Sequence, residues 1–291
     1  MIGMDRVPIF YNPKQSAPTR SISPSSDKPR QAVERWVKAY GDRAPIVESG
    51  AASPDTIALA HLPAYVNDVL ECVTPNGFGN TDPAIAEALP YSIGSMVMAA
   101  VWAASHPERA VVACSPTSGF HHAHFGRGDG FCTFNGLMVA AMVLLRCGLA
   151  DHVTIIDGDA HYGDGTQDII NRLDVDGSVL NAQPDMSVEP HRYLHNIGML
   201  TKQARGRGKR PIVFYQAGAD AHINDPLGAG ELPTDVMRRR DEAVFRIARD
   251  YAIPVVFNLA GGYQRDEHGT IEPVLKLHDQ TMEAALNRLG N

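Results

Sequence analysis

The sequence has 291 residues, of which 44% are hydrophobic and 20% charged, with a formal net charge of -7. This length can fill one large α/β domain, and the apolar fraction excludes a wholly disordered chain. The acidic balance argues against a nucleic-acid partner and is compatible with cationic amine substrates.

In chain order, residues 7–11 read as a first strand, a Ser/Pro-rich loop follows over 15–29, and a helix is predicted over 30–40. Ser53, Pro54 and Asp55 form a helix-start pattern. Apolar spacing through Leu59, Leu62, Tyr65, Val66 and Leu70 predicts that this helix continues past Pro63. A further helix is expected from Asp82 to Ser105. Beyond it, apolar runs recur at 110–113, 153–156, 212–215 and 254–259, separated by helix-like or loop sequence. This alternation predicts an α/β fold with three layers, αβα, around a central and mostly parallel sheet. One domain is expected over residues 1–291. No apolar run approaches the length needed to span a bilayer, and the N-terminus lacks a signal-peptide core, so a cytoplasmic protein with no membrane partner is expected. Cys72, Cys114, Cys132 and Cys147 are widely spaced without a CxxC pair, which predicts reduced thiols and no thiolate metal site.

The polar clusters fall just after the apolar runs, where chemistry collects in parallel sheets. The first in informativeness is Asp157, Gly158, Asp159, Ala160, His161, Tyr162, Gly163, Asp164, Gly165. In extended chain Asp157, Asp159 and His161 would project to one side, a divalent-metal pattern. Alone, the segment also reads as a polar turn punctuated by glycine; a phosphate cradle is weakened by the absence of a Walker lysine. A second cluster holds Gly119, His121, His122 and His124, followed by Gly130, Phe131 and Cys132. Adjacent histidines act together only where the backbone turns, which Gly119 permits. Two histidines near carboxylates favour proton transfer, whereas His124 reads as an ordinary surface residue and Cys132 as packing. A third cluster ends in Asp220, which could complete a metal site. The fourth is Gly261, Gly262, Tyr263, where two glycines can aim a tyrosine over the sheet edge, or simply precede a packed one.

These clusters, in this order, resemble the histone deacetylase and acetylpolyamine amidohydrolase family on the arginase/deacetylase fold. The resemblance implies Asp159, His161 and Asp220 as metal ligands, and His121 and His122 as a catalytic dyad oriented by Asp157 and Asp164. It further implies Tyr263 as the oxyanion donor, Gly130 and Phe131 as the tunnel wall, and Asp82 as an acidic rim residue gripping substrate. Asp82 before Pro83 equally fits a plain helix cap. Zinc is the implied ion, with iron(II) the rival because two carboxylates and one imidazole suit both. A structural potassium ion beneath the site, using Asp157, Asp159 and His161, is implied as well.

The expected function is hydrolysis of N-acyl, mainly N-acetyl, amides of lysine, polyamines or small amines. A binuclear ureohydrolase of the same fold and a non-catalytic acyl-ligand binding protein are the alternatives. The sequence departs from the family in carrying Asn12 where a histidine is common and Tyr162 after the metal-ligand histidine. The stretch from Thr166 to Gln216 is short, which predicts a missing second tunnel wall and an exposed Phe131, leaving either a wide site for bulky acyl groups or small amides or, the favoured expectation, a homo-oligomer that completes the site.

Overall fold

The computed structural model describes residues 5–18, 21–106, 110–228 and 231–288. The strands are β1 (Ile9–Tyr11), β2 (Ile46–Glu48), β3 (Val112–Cys114), β4 (His152–Asp157), β5 (Val179–Ala182), β6 (Pro211–Gln216) and β7 (Val255–Asn258). They form one seven-stranded sheet in the order β2-β1-β3-β7-β6-β4-β5. Every pairing is parallel. The helices are α1 (Lys28–Tyr40), α2 (Pro54–Ile57), α3 (Pro63–Leu70), α4 (Pro83–Ala104), α5 (Gly136–Arg146), α6 (Asp164–Leu173), α7 (Pro190–Ala204), α8 (Thr234–Asp250) and α9 (Glu272–Asn287).

Two cores, one on each face, follow from the alternation of side chains along the strands. Ile156, Val213, Tyr215, Val255 and Phe257 point to one face, where α1, α7, α8 and α9 cover them. Ile155, Ile212, Phe214 and Val256 point to the other, beneath the layer of α2 to α6. The three-layer expectation therefore holds, with a sheet that is parallel throughout.

Three local expectations need correction. Pro63 does break the helix expected to run through it: α2 ends at Ile57, and Pro63 occupies the first turn of α3. Proline cannot donate to the preceding turn and its ring crowds it, but it suits a helix start. Next, α4 is 22 residues long and contains an 18-residue stretch of mean hydropathy 1.4, long and apolar enough to cross a membrane. It serves as a core helix instead, with the Ser95 hydroxyl held 2.6 Å from Phe10 O and 2.7 Å from the Ser115 hydroxyl. Finally, β2 and β5 were not foreseen. They are the two edge strands, and β2 has the exposed, half-buried, exposed pattern of an edge with no continuous apolar run.

Candidate active site

The four polar clusters lie in the loops that follow β3, β7, β6 and β4, and these strands are neighbours in the sheet. Residues distant in sequence therefore meet at one sheet edge. β4 stops at Asp157, so simple strand alternation does not carry Asp159 and His161. A turn does so instead: Asp159 N–H donates to Asp157 Oδ1 at 3.0 Å, and His161 N–H to Asp159 Oδ1 at 3.0 Å. Asp157 consequently faces His121, while Asp159 and His161 face Asp220.

Asp159, His161 and Asp220 bring ligand-type atoms within 4.8 Å of one another. The carboxylates of Asp159 and Asp220 are buried at 1% and 0% exposure. His161 Nδ1 sits 3.2 Å from Asp159 Oδ1 and 3.1 Å from Asp220 Oδ2. Those hydrogen bonds hold its imidazole up at about 11. Burial and the charge of Asp159 push the Asp220 carboxyl above its usual range. Two buried carboxylates facing one imidazole form a donor set that suits a divalent cation. His161 Nε2 lies 2.9 Å from Leu227 O, the second contact that orients a ligating imidazole.

Beside this group, His121 and His122 pack with ring centroids 4.1 Å apart. His121 Nδ1 meets Asp157 Oδ2 at 2.9 Å, and His122 Nδ1 meets Asp164 Oδ1 at 2.7 Å. The turn that presents both rings uses Gly119 at φ +89. Burial lowers the basicity of His121, but Asp159 and Asp157 outweigh it and raise its pKa to about 9. For His122, burial and the adjacent His121 prevail over Asp164 and hold the pKa below 6.5. His124 is not an ordinary surface residue: its ring nitrogens lie 3.5 Å from both Asp164 and Asp168, and 2.8 Å from Arg127.

Tyr263 is half-buried, and its N–H donates to Asp225 Oδ2 at 2.7 Å. Burial, then the charges of Asp159 and Asp220, push its hydroxyl well above the usual tyrosine pKa, so it stays a donor. Its ring stands 5.9 Å from that of Phe131, which also meets Phe78 at 5.8 Å. Phe131 is therefore half-buried rather than exposed, and it adopts φ 64, a left-handed value unusual for an aromatic residue. Gly130 and Gly261 are required by close approach: a Cβ would lie 2.6 Å from the His122 ring and 2.1 Å from Asp220 Oδ2, respectively. A narrow cavity between these parts is lined by Gly119, His121, Gly130, Cys132, Asp159 and Tyr263. Burial pushes the Cys132 thiol up, which keeps it inert.

Asp82 and Asn12 both serve as caps. Asp82 caps α4, accepting the Ala84 N–H at 2.9 Å. Asn12 is buried and caps the 3-10 turn at Pro13–Gln15. The structure adds residues that no local pattern announced. Lys28, at 0% exposure, donates to Ala260 O at 2.5 Å and Gly261 O at 3.1 Å. Burial pulls its pKa down to about 8 against the attraction of Asp220, Asp159 and Asp225. The buried Arg240 donates to Gly158 O and Gly218 O at 2.9 and 3.0 Å. Gln183 donates to Asp159 O and His161 O at 2.9 and 3.1 Å.

Comparison with known proteins follows the same lines. A family model described as histone deacetylase domain matches residues 25–183 and 173–273. An uncharacterized protein of Picosynechococcus sp. is 25% identical, covering 93% of this chain and 97% of its own. The acetylpolyamine amidohydrolase of Mycoplana ramosa is 32% identical over 54% of this chain and 43% of its own length. Among solved structures, the HDA15 HD domain superposes with TM-score 0.75 at 18% identity, covering 98% of this chain and 91% of that one. That last likeness concerns the fold.

Proposed function

This chain belongs to the histone deacetylase family, and on that premise we propose that it is a divalent-metal-dependent deacylase hydrolysing linear N-acyl amides of lysine, polyamines or small amines. The observation that carries the reading is the convergence of His161 with two buried carboxylates, Asp159 and Asp220, next to a carboxylate-anchored histidine pair. A zinc or iron(II) ion held there would polarise the acyl carbonyl and acidify a water molecule. His122 accepts the proton of the attacking water. Its Nδ1–H is committed to Asp164, which leaves the Nε2 lone pair as the base. His121, held by Asp157, packs beside His122 with ring centroids 4.1 Å apart. Tyr263 donates its hydroxyl proton as a hydrogen bond to the developing oxyanion. The histidine pair then returns the proton to the departing amine.

Among the described residues a single carboxylate/histidine group has ligand-like spacing, which favours one ion over the two of a ureohydrolase. The intact histidine pair and tyrosine favour catalysis over mere acyl binding. Next to His161, Tyr162 follows it in the chain and Leu227 O meets its ring, and these two side chains are exposed at 55% and 44%. We take this apolar side to be covered by a second copy of the chain. The deciding experiment assays zinc- or iron-loaded protein on acetyl-lysine peptide, acetylputrescine and acetylspermidine over a dilution series. Hydrolysis of at least one, with activity per chain falling on dilution, is expected. No turnover of any amide would overturn the deacylase reading, and full activity of a proven monomer the oligomeric one.

The acid limb of kcat/KM should report His122, which works only when deprotonated. Its midpoint is expected below 6.5 because burial and His121 depress that pKa. Asp164 raises the same pKa, so Asp164→Asn should move the limb to lower pH while lowering the plateau. A limb that stays in place would remove Asp164 from this role.

A further inference from the structure

The turn carrying Asp159 and His161 has an unusual brace. Gln183 follows β5 directly, and its Nε2 donates to Asp159 O at 2.9 Å and His161 O at 3.1 Å. Two residues earlier, on the same side of the strand, Asn181 Nδ2 donates to Gly163 O at 3.1 Å. Alternate side-chain amides of an edge strand thus satisfy alternate carbonyls of the turn. Backbone carbonyls gathered this way would otherwise need water or a cation.

The monovalent ion implied by resemblance would draw on Asp157, Asp159 and His161, and in this chain those oxygens are already engaged. Both carboxylate oxygens of Asp157 are committed, Oδ2 to His121 at 2.9 Å and Oδ1 to Asp159 N and Gln216 Nε2 at 3.0 Å each. The carbonyls of Asp159 and His161 take the Gln183 amide. Each of these oxygens thus already accepts an N–H, an arrangement that suits neutral donors better than a potassium ion.

We propose that Gln183 is a positioning residue that clamps the metal-ligand turn through the Asp159 and His161 carbonyls in place of a monovalent cation, so that this protein needs none. The proposal rests on the metal-centre reading above, but its main readout does not require turnover. Divalent-loaded protein is exchanged exhaustively into tetramethylammonium chloride, and melting temperature, bound potassium and divalent content are followed as KCl is added. The wild-type chain should show no saturable change in melting temperature, no stoichiometric potassium, and kcat constant within about twofold. Gln183→Ala should weaken divalent binding on the order of 10–100-fold, as loss of an outer-shell partner does. Potassium should restore part of that binding by occupying the freed carbonyls. Gln183→Glu, which sets a carboxylate against them, should need potassium more strongly still. One tightly held potassium per wild-type chain, or a saturable potassium-specific rise in its melting temperature, would overturn the proposal. So would a Gln183→Ala protein with wild-type metal affinity in tetramethylammonium.

Discussion

Asp159→Ala and Asp220→Ala proteins are expected to retain no stoichiometric divalent ion and to hydrolyse acyl amides at background rate. Each removes one of three converging donors, and each donor does more than face the ion. Asp159 Oδ1 also accepts the His161 N–H, and its Oδ2 accepts the Gly261 N–H at 2.8 Å. Asp220 Oδ1 accepts the Ala160 N–H at 3.1 Å. Losing either carboxylate therefore releases a backbone loop as well as a ligand. The effect should exceed the roughly 10–100-fold cost of losing an outer-shell partner. Elemental analysis and amide turnover, measured on the same preparation, check this. Chelated wild-type protein should behave likewise, with recovery on adding zinc, iron(II) or cobalt. Full activity in metal-free protein, or two tightly coupled ions per chain, would sink the mononuclear reading.

Tyr263→Phe is expected to leave metal content intact while lowering kcat by roughly 10²–10³-fold, the usual effect of removing one oxyanion donor. The substitution deletes only the hydroxyl. The loop is held by the backbone bond to Asp225 and by the ring contact with Phe131, and both survive. The deficit should lie in kcat more than in KM, because the hydrogen bond strengthens only as charge develops on the acyl oxygen. Wild-type turnover by the Phe variant would make Tyr263 a packing residue and return the oxyanion to other groups.

The central strands were legible because each is an apolar run followed directly by a polar cluster, as in Ile155, Ile156 and Asp157. The edge strands were not. β5 offers only Val179, Leu180, Asn181 and Ala182, with two of the four half-buried. The helix through Pro63 failed because apolar periodicity continues on both sides of a break that the proline's missing N–H and its ring impose. At the site, strand-end placement pointed to Asp157, Asp159 and His161 with Asp220 as a possible completion; the set Asp159, His161 and Asp220 came from the family resemblance, because a turn after Asp157 replaces strand alternation. The bracing residues were hidden, because their work is done at long range. Lys28 reaches carbonyls 232 and 233 positions away, and nothing in its own neighbourhood marks it as buried. His124 was misread for a related reason: its acidic neighbours, Asp164 and Asp168, come from α6.

The order of the sheet also governs how the molecule is assembled. β7, the last strand made, lies in the middle, with Val112↔Val255 on one side and Val213↔Val255 on the other. Until it is inserted, β1 to β3 and β4 to β6 form two separate ribbons, each with an inner edge of unpaired backbone. The histidine loop belongs to the first ribbon and the Asp159 and Asp220 loops to the second, so until β7 joins them the sheet does not hold the histidine pair against the ligand group. Closing pairs so distant in sequence is entropically slow. A ribosome-bound chain would therefore expose two unpaired inner edges until β7 is made and inserted, a stage at which such edges invite association.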